Sequence, residues 1–261
     1  ITDRVSTRLS GTHYGFDGDI RNIVFDGGGN VVRDDMSVRE QYSGAISAKV
    51  AAELSDSTDA VLSLRHSRSR ERPTTGVWLD DPHVPRNAFA PVPETTTETT
   101  GGSLEITHDL GFATLTSLTG ISHYELDLDA DLLDGFIGGA QTGLPPSAFG
   151  AAGVNVRRID ETSTQVSQEL RLNGAFGQGG QWVAGVSGLY SDLESTTDIT
   201  SLAMANGAYT GRLKKTNLAA FGEVTVPVTE RLRLIGGARY TYERQQFDGT
   251  YAGRPGGVPG V

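Results

Sequence analysis

The sequence predicts an all-β protein: one antiparallel, up-and-down sheet of about nine strands forming part of a transmembrane β-barrel wall. Three observations carry this. Apolar residues recur at every second position in segment after segment, with charges between them. Short and long connections alternate strictly along the chain. Hydrophobic content is only 37%, with 34 glycines in 261 residues, so a conventional core would be thin.

The clearest strand is VTERLRLIGGARYTYE, residues 228–243. Leu232, Leu234, Gly236, Ala238, Tyr240 and Tyr242 fall on one side, and Arg231, Arg233, Ile235, Gly237, Arg239, Thr241 and Glu243 on the other. A period of two is that of a strand, not a helix. Residues 41–54 repeat it, with Tyr42, Gly44, Ile46, Ala48, Val50, Ala52 and Leu54 opposed to Lys49 and Glu53. So do residues 163–172 and 217–226, where Val224 and Val226 oppose Glu223. Weaker versions run through 3–16, 60–70, 100–108, 112–124 and 182–193, and no segment has a convincing amphipathic helical period.

Between these strands, Ser55–Asp59, Asp109–Gly111, Asn173–Gln181 and Pro227–Glu230 are short joints. Residues 17–37, 71–97, 125–160 and 194–213 are long ones, and 244–261 looks like the start of another. In an up-and-down sheet, alternate connections lie on opposite rims, so all the tight turns share one rim and all the long loops the other. Outer-membrane barrels have this asymmetry, with short periplasmic turns and long extracellular loops. The apolar face, ending in Tyr240 and Tyr242, then faces lipid, and the Arg/Glu face points into a polar lumen. A mid-plane Arg or Lys on the lipid side would cost about 2–4 kcal/mol.

Composition excludes other classes. There is no cysteine, hence no disulfide, thiolate metal site or Cys nucleophile. The net charge of −10 argues against nucleic acid as a partner. No apolar run is long enough for a transmembrane helix, and ITDRVSTRLS lacks the pattern of a signal peptide. No catalytic, cofactor or metal residue is nominated, and no enzyme activity is expected. The loose repeat ITDRVSTRLSG, STDAVLSLRHS and VTERLRLIGGAR reads as turn chemistry before a strand.

ELDLDADLLDG (125–135) spaces Asp127, Asp129, Asp131 and Asp134 like a calcium loop, but an EF-hand needs Gly and Glu where Leu132 and Gly138 stand. It reads as a solvated acidic strand end. His13, His66, His83, His108 and His123 lack ligand spacing and read as structural or surface residues. FDGGGNV (25–31) has no Lys and no following helix, so it is a hairpin tip rather than a phosphate cradle. No G-x-S-x-G elbow occurs. Trp78 reads as a loop anchor.

Four stretches together resemble the β-barrel of TonB-dependent outer-membrane receptors: RVSTRLSGTHYGFDGDIRN (4–22), TSTQVSQELRLNG (162–174) with QWVAGVSGLYSD (181–192), KTNLAAFGEVTVPV (215–228), and VTERLRLIGGARYTYE. The resemblance covers essentially the whole chain. It implies an integral protein of a Gram-negative outer membrane, embedded in outer-membrane lipid. It further implies uptake of a scarce nutrient, a ferric siderophore foremost or another small ligand, energised by the TonB complex through a plug domain. The family's plug and energy-coupling segment are not found, its barrel closes with about 22 strands, and the last residues, YAGRPGGVPGV, read as loop. Residues 1–261 are therefore expected to be an internal portion of the barrel domain, unable to transport alone because open sheet edges are not viable in hydrocarbon. Two alternatives stand beside this: a passive porin or autotransporter-type barrel, marked by its upstream reading frame, and a soluble β-rich binding or adhesive domain, marked by solubility without detergent.

Overall fold

The computed structural model describes residues 4–74, 76, 85–151, 155–201 and 206–253. Its main element is a nine-stranded antiparallel sheet. The strands are β1 (Val5–Phe16), β4 (Gln41–Ser55), β5 (Thr58–Glu71), β7 (Glu94–Asp109), β8 (Thr114–Asp131), β9 (Val156–Phe176), β10 (Gly180–Thr200), β11 (Gly207–Thr229) and β12 (Leu232–Gly253), and they lie side by side in that order. The expected up-and-down meander of nine strands is present. The sheet is open, with β1 and β12 at its edges.

Tight turns at 56–57, 110–113, 177–179 and 230–231 sit on one rim, so Arg231, expected on a strand, lies in a turn. The long connections occupy the other rim. The connection expected at 194–213 is mostly strand, because β10 and β11 pair from Ile199–Gly207 downward and leave only 201–206 between them. Residues 125–131, 156–160 and 244–253, also read as loop, extend β8, β9 and β12. The reason is physical. Above the bilayer a strand needs no apolar face, so Asp, Glu, Thr and Ser can occupy both sides while the backbone ladder continues. Strand β11 has 23 residues, against the ~9–11 that a tilted strand needs to cross a bilayer.

Register assigns the faces. Directly paired residues share a side, and the pairs Tyr240↔Ala220, Ala220↔Val186, Val186↔Leu170, Leu170↔Ser117, Ser117↔Ile106, Ile106↔Ala60 and Ala60↔Ala52 carry one face across eight strands. Leu232, Leu234, Ala238, Tyr242, Val224, Val226, Ile46 and Val50 lie on that face. Arg233, Arg239, Glu223, Lys49 and Glu53 lie on the other. The first face exposes large apolar side chains from every strand, from Leu9 (73%) on β1 through Ile121 (57%) on β8 to Tyr240 (75%) on β12. Water would not tolerate a continuous apolar belt of this extent, whereas lipid solvates it. The polar face is therefore the lumen wall.

The histidines behave as structural residues. His66, His108 and His123 each meet a cross-strand threonine through Nδ1, at 2.8, 2.8 and 2.9 Å, to Thr100, Thr58 and Thr164.

In the full-length protein reconstituted in lipid vesicles, Leu104→Arg on the apolar face should cost about 2–4 kcal/mol of unfolding free energy. Ser103→Arg, one residue away on the lumen face, should cost less than about 1 kcal/mol. Denaturant unfolding of both variants measures the difference, and equal costs would mean the faces are assigned wrongly.

Candidate ligand vestibule

Almost all the conventional core lies in the long connections. Of the buried apolar residues described, only Ala113 and Ala219 are elsewhere; Ile20, Ile23, Val38, Ala88, Phe89, Ala90 and Val156 belong to the outer rim. The connection after β1 forms a hairpin, β2 (Ile20–Phe25) and β3 (Val31–Val38), and the connection after β5 adds β6 (Arg86–Asn87) in parallel to β2. The connection after β8 holds helix α1 (Gly135–Thr142) and a 3₁₀ turn, Pro146–Ala148.

Helix α1 was not legible as a period. Its sequence GFIGGAQT carries three glycines, which disfavour helix. Its ends were legible: Asp134 accepts N–H bonds from Phe136 (2.9 Å) and Ile137 (3.0 Å), and Gly143 closes the helix with φ 75°. Glycine at 135 is a packing requirement, since a Cβ there would stand 2.6 Å from the Pro146 carbonyl.

Buried polar side chains tie these segments together. Asn22, fully buried, receives the Phe89 N–H at 2.9 Å and donates to the Phe89 carbonyl at 3.0 Å, like an extra backbone pair. Asp134 also accepts from the Ala88 N–H (2.7 Å) and Asn87 Nδ2 (3.0 Å). Asp131 accepts from the Ala90 N–H at 2.9 Å and the Leu133 N–H at 3.1 Å. Ser201, at the fourth connection, donates to Asn155 at 3.0 Å. The four connections thus form one interlocked cluster rather than separate flaps.

The expectation of a solvated acidic strand end is half right. Asp127 is exposed and Asp129 half-buried, but Asp131 and Asp134 are 6% and 4% exposed. The acidic spacing serves loop anchoring: each buried carboxylate supplies the acceptor for N–H groups that no strand partner reaches. Burial, with the neighbouring Asp134 charge behind it, raises Asp131 to about 7, against the pull of the Ala90, Leu133 and Leu132 N–H donors. Among the described residues no group of three or more His, Asp or Glu is placed to hold a metal ion. FDGGGNV is the tip of the β2–β3 hairpin: Asp26 accepts from the Gly28 and Asn30 N–H groups at 2.9 and 2.8 Å, and Asn30's side chain, donating to it, holds its carboxyl below the usual range. Trp78 and His83 lie outside the described residues.

Below this cluster the facial pattern of the sheet inverts. Above the apolar belt the outer face turns charged: Arg212 meets Asp192 at 2.6 Å and Glu194 at 2.9 Å, and Arg158 meets Asp129 at 3.2 Å. The lumen face becomes apolar and aromatic at the same height. One register row carries Phe247, Leu213 and Leu193, with Tyr124 two strands further on. A row nearer the rim carries Tyr251, Tyr209, Ile159 and Leu128. Tyr209 and Tyr251 stack, with centroids 4.4 Å apart at 27°. Sequence reasoning missed this wall because it treated 194–213 and 244–261 as loop. The aromatic alternation was there to read once strands were extended.

A model of the TonB dependent receptor-like β-barrel family matches residues 9–259. No curated protein matches the sequence. Among solved structures, the chain is similar to the ferric yersiniabactin uptake receptor FyuA of Yersinia pestis, at TM-score 0.68 and 16% identity over 97% of this chain and 37% of that one. It is also similar to the outer membrane transporter YddB of Escherichia coli, at TM-score 0.58 and 15% identity over 95% of this chain and 33% of that one. The chain thus spans about a third of the length of each, and at these identities the likeness is one of fold.

Two outcomes follow from the loop cluster. Asn22→Ala leaves the Phe89 N–H and carbonyl buried and unpaired, and should lower local stability by about 2–3 kcal/mol, read as lost hydrogen-exchange protection at Phe89 with the sheet amides unaffected. Asp131 sets a pH slope. A carboxyl raised from 3.8 to about 7 holds its proton more readily folded than unfolded, so its contribution is full below about 4 and is lost as pH rises through about 7. Exchange protection at Ala90, corrected for intrinsic rate, should fall across that window, and Asp131→Ala should flatten the fall.

Proposed function

We propose that this chain, which belongs to the TonB-dependent receptor β-barrel family, is the portion of an outer-membrane receptor wall that carries ligand from the extracellular mouth into the lumen. In this reading residues 1–261 are one part of a single barrel domain, and the remaining wall lies elsewhere in the complete receptor. Function is energised import by the TonB complex, not catalysis. The cargo is a scarce nutrient, with a ferric siderophore as the specific candidate.

The observation that supports the cargo reading is the inversion of the lumen wall. A wall that only passed water and ions would be polar throughout, as its lower half is. Here the upper half offers aromatic and aliphatic side chains to the lumen beneath an ordered roof. Concave apolar surface with a few polar groups captures small organic ligands. The uptake of a siderophore by FyuA is stated for that receptor and is carried here only as part of the proposal.

Cells carrying the intact gene should take up radioactive iron supplied as a ferric siderophore, and deletion should abolish uptake of the cognate one. Loss of TonB or of the proton gradient should reduce uptake to the level of the deletion. Uptake that survives without either would instead identify a passive pore.

A further inference from the structure

The rim ends of β11 and β12 contain a mirrored pair of pentapeptides. Gly207-Ala208-Tyr209-Thr210-Gly211 runs antiparallel to Gly249-Thr250-Tyr251-Ala252-Gly253, and every residue faces its own kind: Gly207↔Gly253, Ala208↔Ala252, Tyr209↔Tyr251, Thr210↔Thr250 and Gly211↔Gly249. The parity of the strands places the glycines and tyrosines on the lumen face and the alanines and threonines outside, where Thr210 and Thr250 share a hydroxyl bond of 2.5 Å.

The glycines explain the geometry of the rings. A Cβ on Gly207 would stand 2.4 Å from Cε2 of Tyr251, and one on Gly249 would stand 2.9 Å from the Phe247 ring. The rings therefore lie down over bare backbone instead of standing up from the sheet. The Tyr251 hydroxyl fixes its ring by donating to the Asn206 carbonyl at 3.0 Å. The result is a broad π surface turned to the lumen: Tyr251 and Tyr209 stacked, both part-exposed, and Phe247 two residues below Tyr251 at 71% exposure. Side chains that serve only to pack a strand do not need their neighbours stripped to glycine so that their faces are bared.

A cation stands within reach. Arg157 lies on the lumen face in the row of Gly207 and Gly253, reached through the pair Arg157↔Ile199. It is two strands from Tyr209, roughly 10 Å across the sheet. It is exposed, and no printed contact among the described residues pairs it with an acid. A flat apolar surface with a lateral positive charge complements a planar ring bearing an anionic substituent.

We propose that Tyr209 and Tyr251 form a stacking subsite for the planar aromatic ring of an anionic small molecule, with Arg157 as the partner of its charge. The proposal rests on the uptake reading for its context and deepens it by naming the chemical class of the ligand. It would be met by a phenolate or benzoate group of a metal chelate, and it excludes ligands built only from aliphatic carboxylates or hydroxamates as the preferred cargo.

The test uses the full-length protein in detergent, with calorimetric titration of ferric salicylate, ferric citrate and iron-free salicylate. Ferric salicylate should bind about tenfold more tightly than ring-free ferric citrate. Tyr209→Ala and Tyr251→Ala should each weaken ferric salicylate about tenfold and leave ferric citrate unchanged. Tyr251→Phe should stay within about twofold of the parent, because it keeps the ring. Tyr251→Leu, which keeps bulk without a ring, separates stacking from folding should an alanine variant prove unstable. Arg157→Gln should weaken both salicylate probes and reduce the dependence of their binding on salt. Equal affinity for salicylate and citrate complexes, or tyrosine variants that bind like the parent, overturns the subsite even where ferric chelates bind, and leaves the uptake reading intact. Tyrosine-dependent binding of salicylate with no preference for its ferric form upholds the subsite and overturns the ferric cargo. Binding of none of the three probes overturns both.

Discussion

A backbone N–H inside hydrocarbon has no water to bond, and leaving it unpaired costs several kcal/mol. Every other feature of this sheet follows from that constraint. It forces each strand to pair along its whole buried length, and the unbroken registers of β7 with β8 and of β8 with β9 are the outcome. Once pairing is unbroken, parity is inherited from strand to strand, so a single choice of lipid face at Leu104 determines the facing of Leu62, Val50 and Ile121 as well. The apolar side chains have no core to form; they only have to match the solvent.

Outside the bilayer the constraint relaxes, and the protein spends the freedom differently on its two rims. The rim with tight turns needs no more than two to four residues per connection. The opposite rim builds a small globular core of its own, where Ile20, Val38 and Phe89 pack together. There the backbone groups of 85–92 have no continuous strand partner, and the side chains of Asn22, Asp131 and Asp134 take over as surrogate acceptors. Burying two carboxylates a few residues apart is expensive, and the network tolerates it because each is met by several N–H donors.

The belt was legible because lipid imposes a pattern that sequence can display: alternate apolar residues at 232–242 and 41–54 announced both the strands and their faces. Alternating connection lengths announced the topology. What escaped was whatever lipid does not govern. The outward extensions of β8 to β12 carry Asp, Thr and Tyr on alternating sides, a pattern that propensity scores as loop although the ladder continues through it. The calcium-like spacing of 127, 129, 131 and 134 is real, but its meaning is set by partners about 40 residues away at Ala88 and Ala90. Helix α1, with three glycines, has no period to find and survives through its caps and its neighbours.

The interlocking of the long connections has a consequence for how such a surface can evolve. Exposed loops on a cell's exterior ordinarily drift one at a time, because each is an independent appendage. Here the residue opposite Phe89 is Asn22 and the residue opposite Ala88 is Asp134, so a change in one segment is read by two others. Selection then acts on the ensemble as if it were a single gene segment interrupted by strands. New specificities would arise by exchanging the set as a block, and variation would concentrate at the hairpin tip around 26–30 rather than at the shared core.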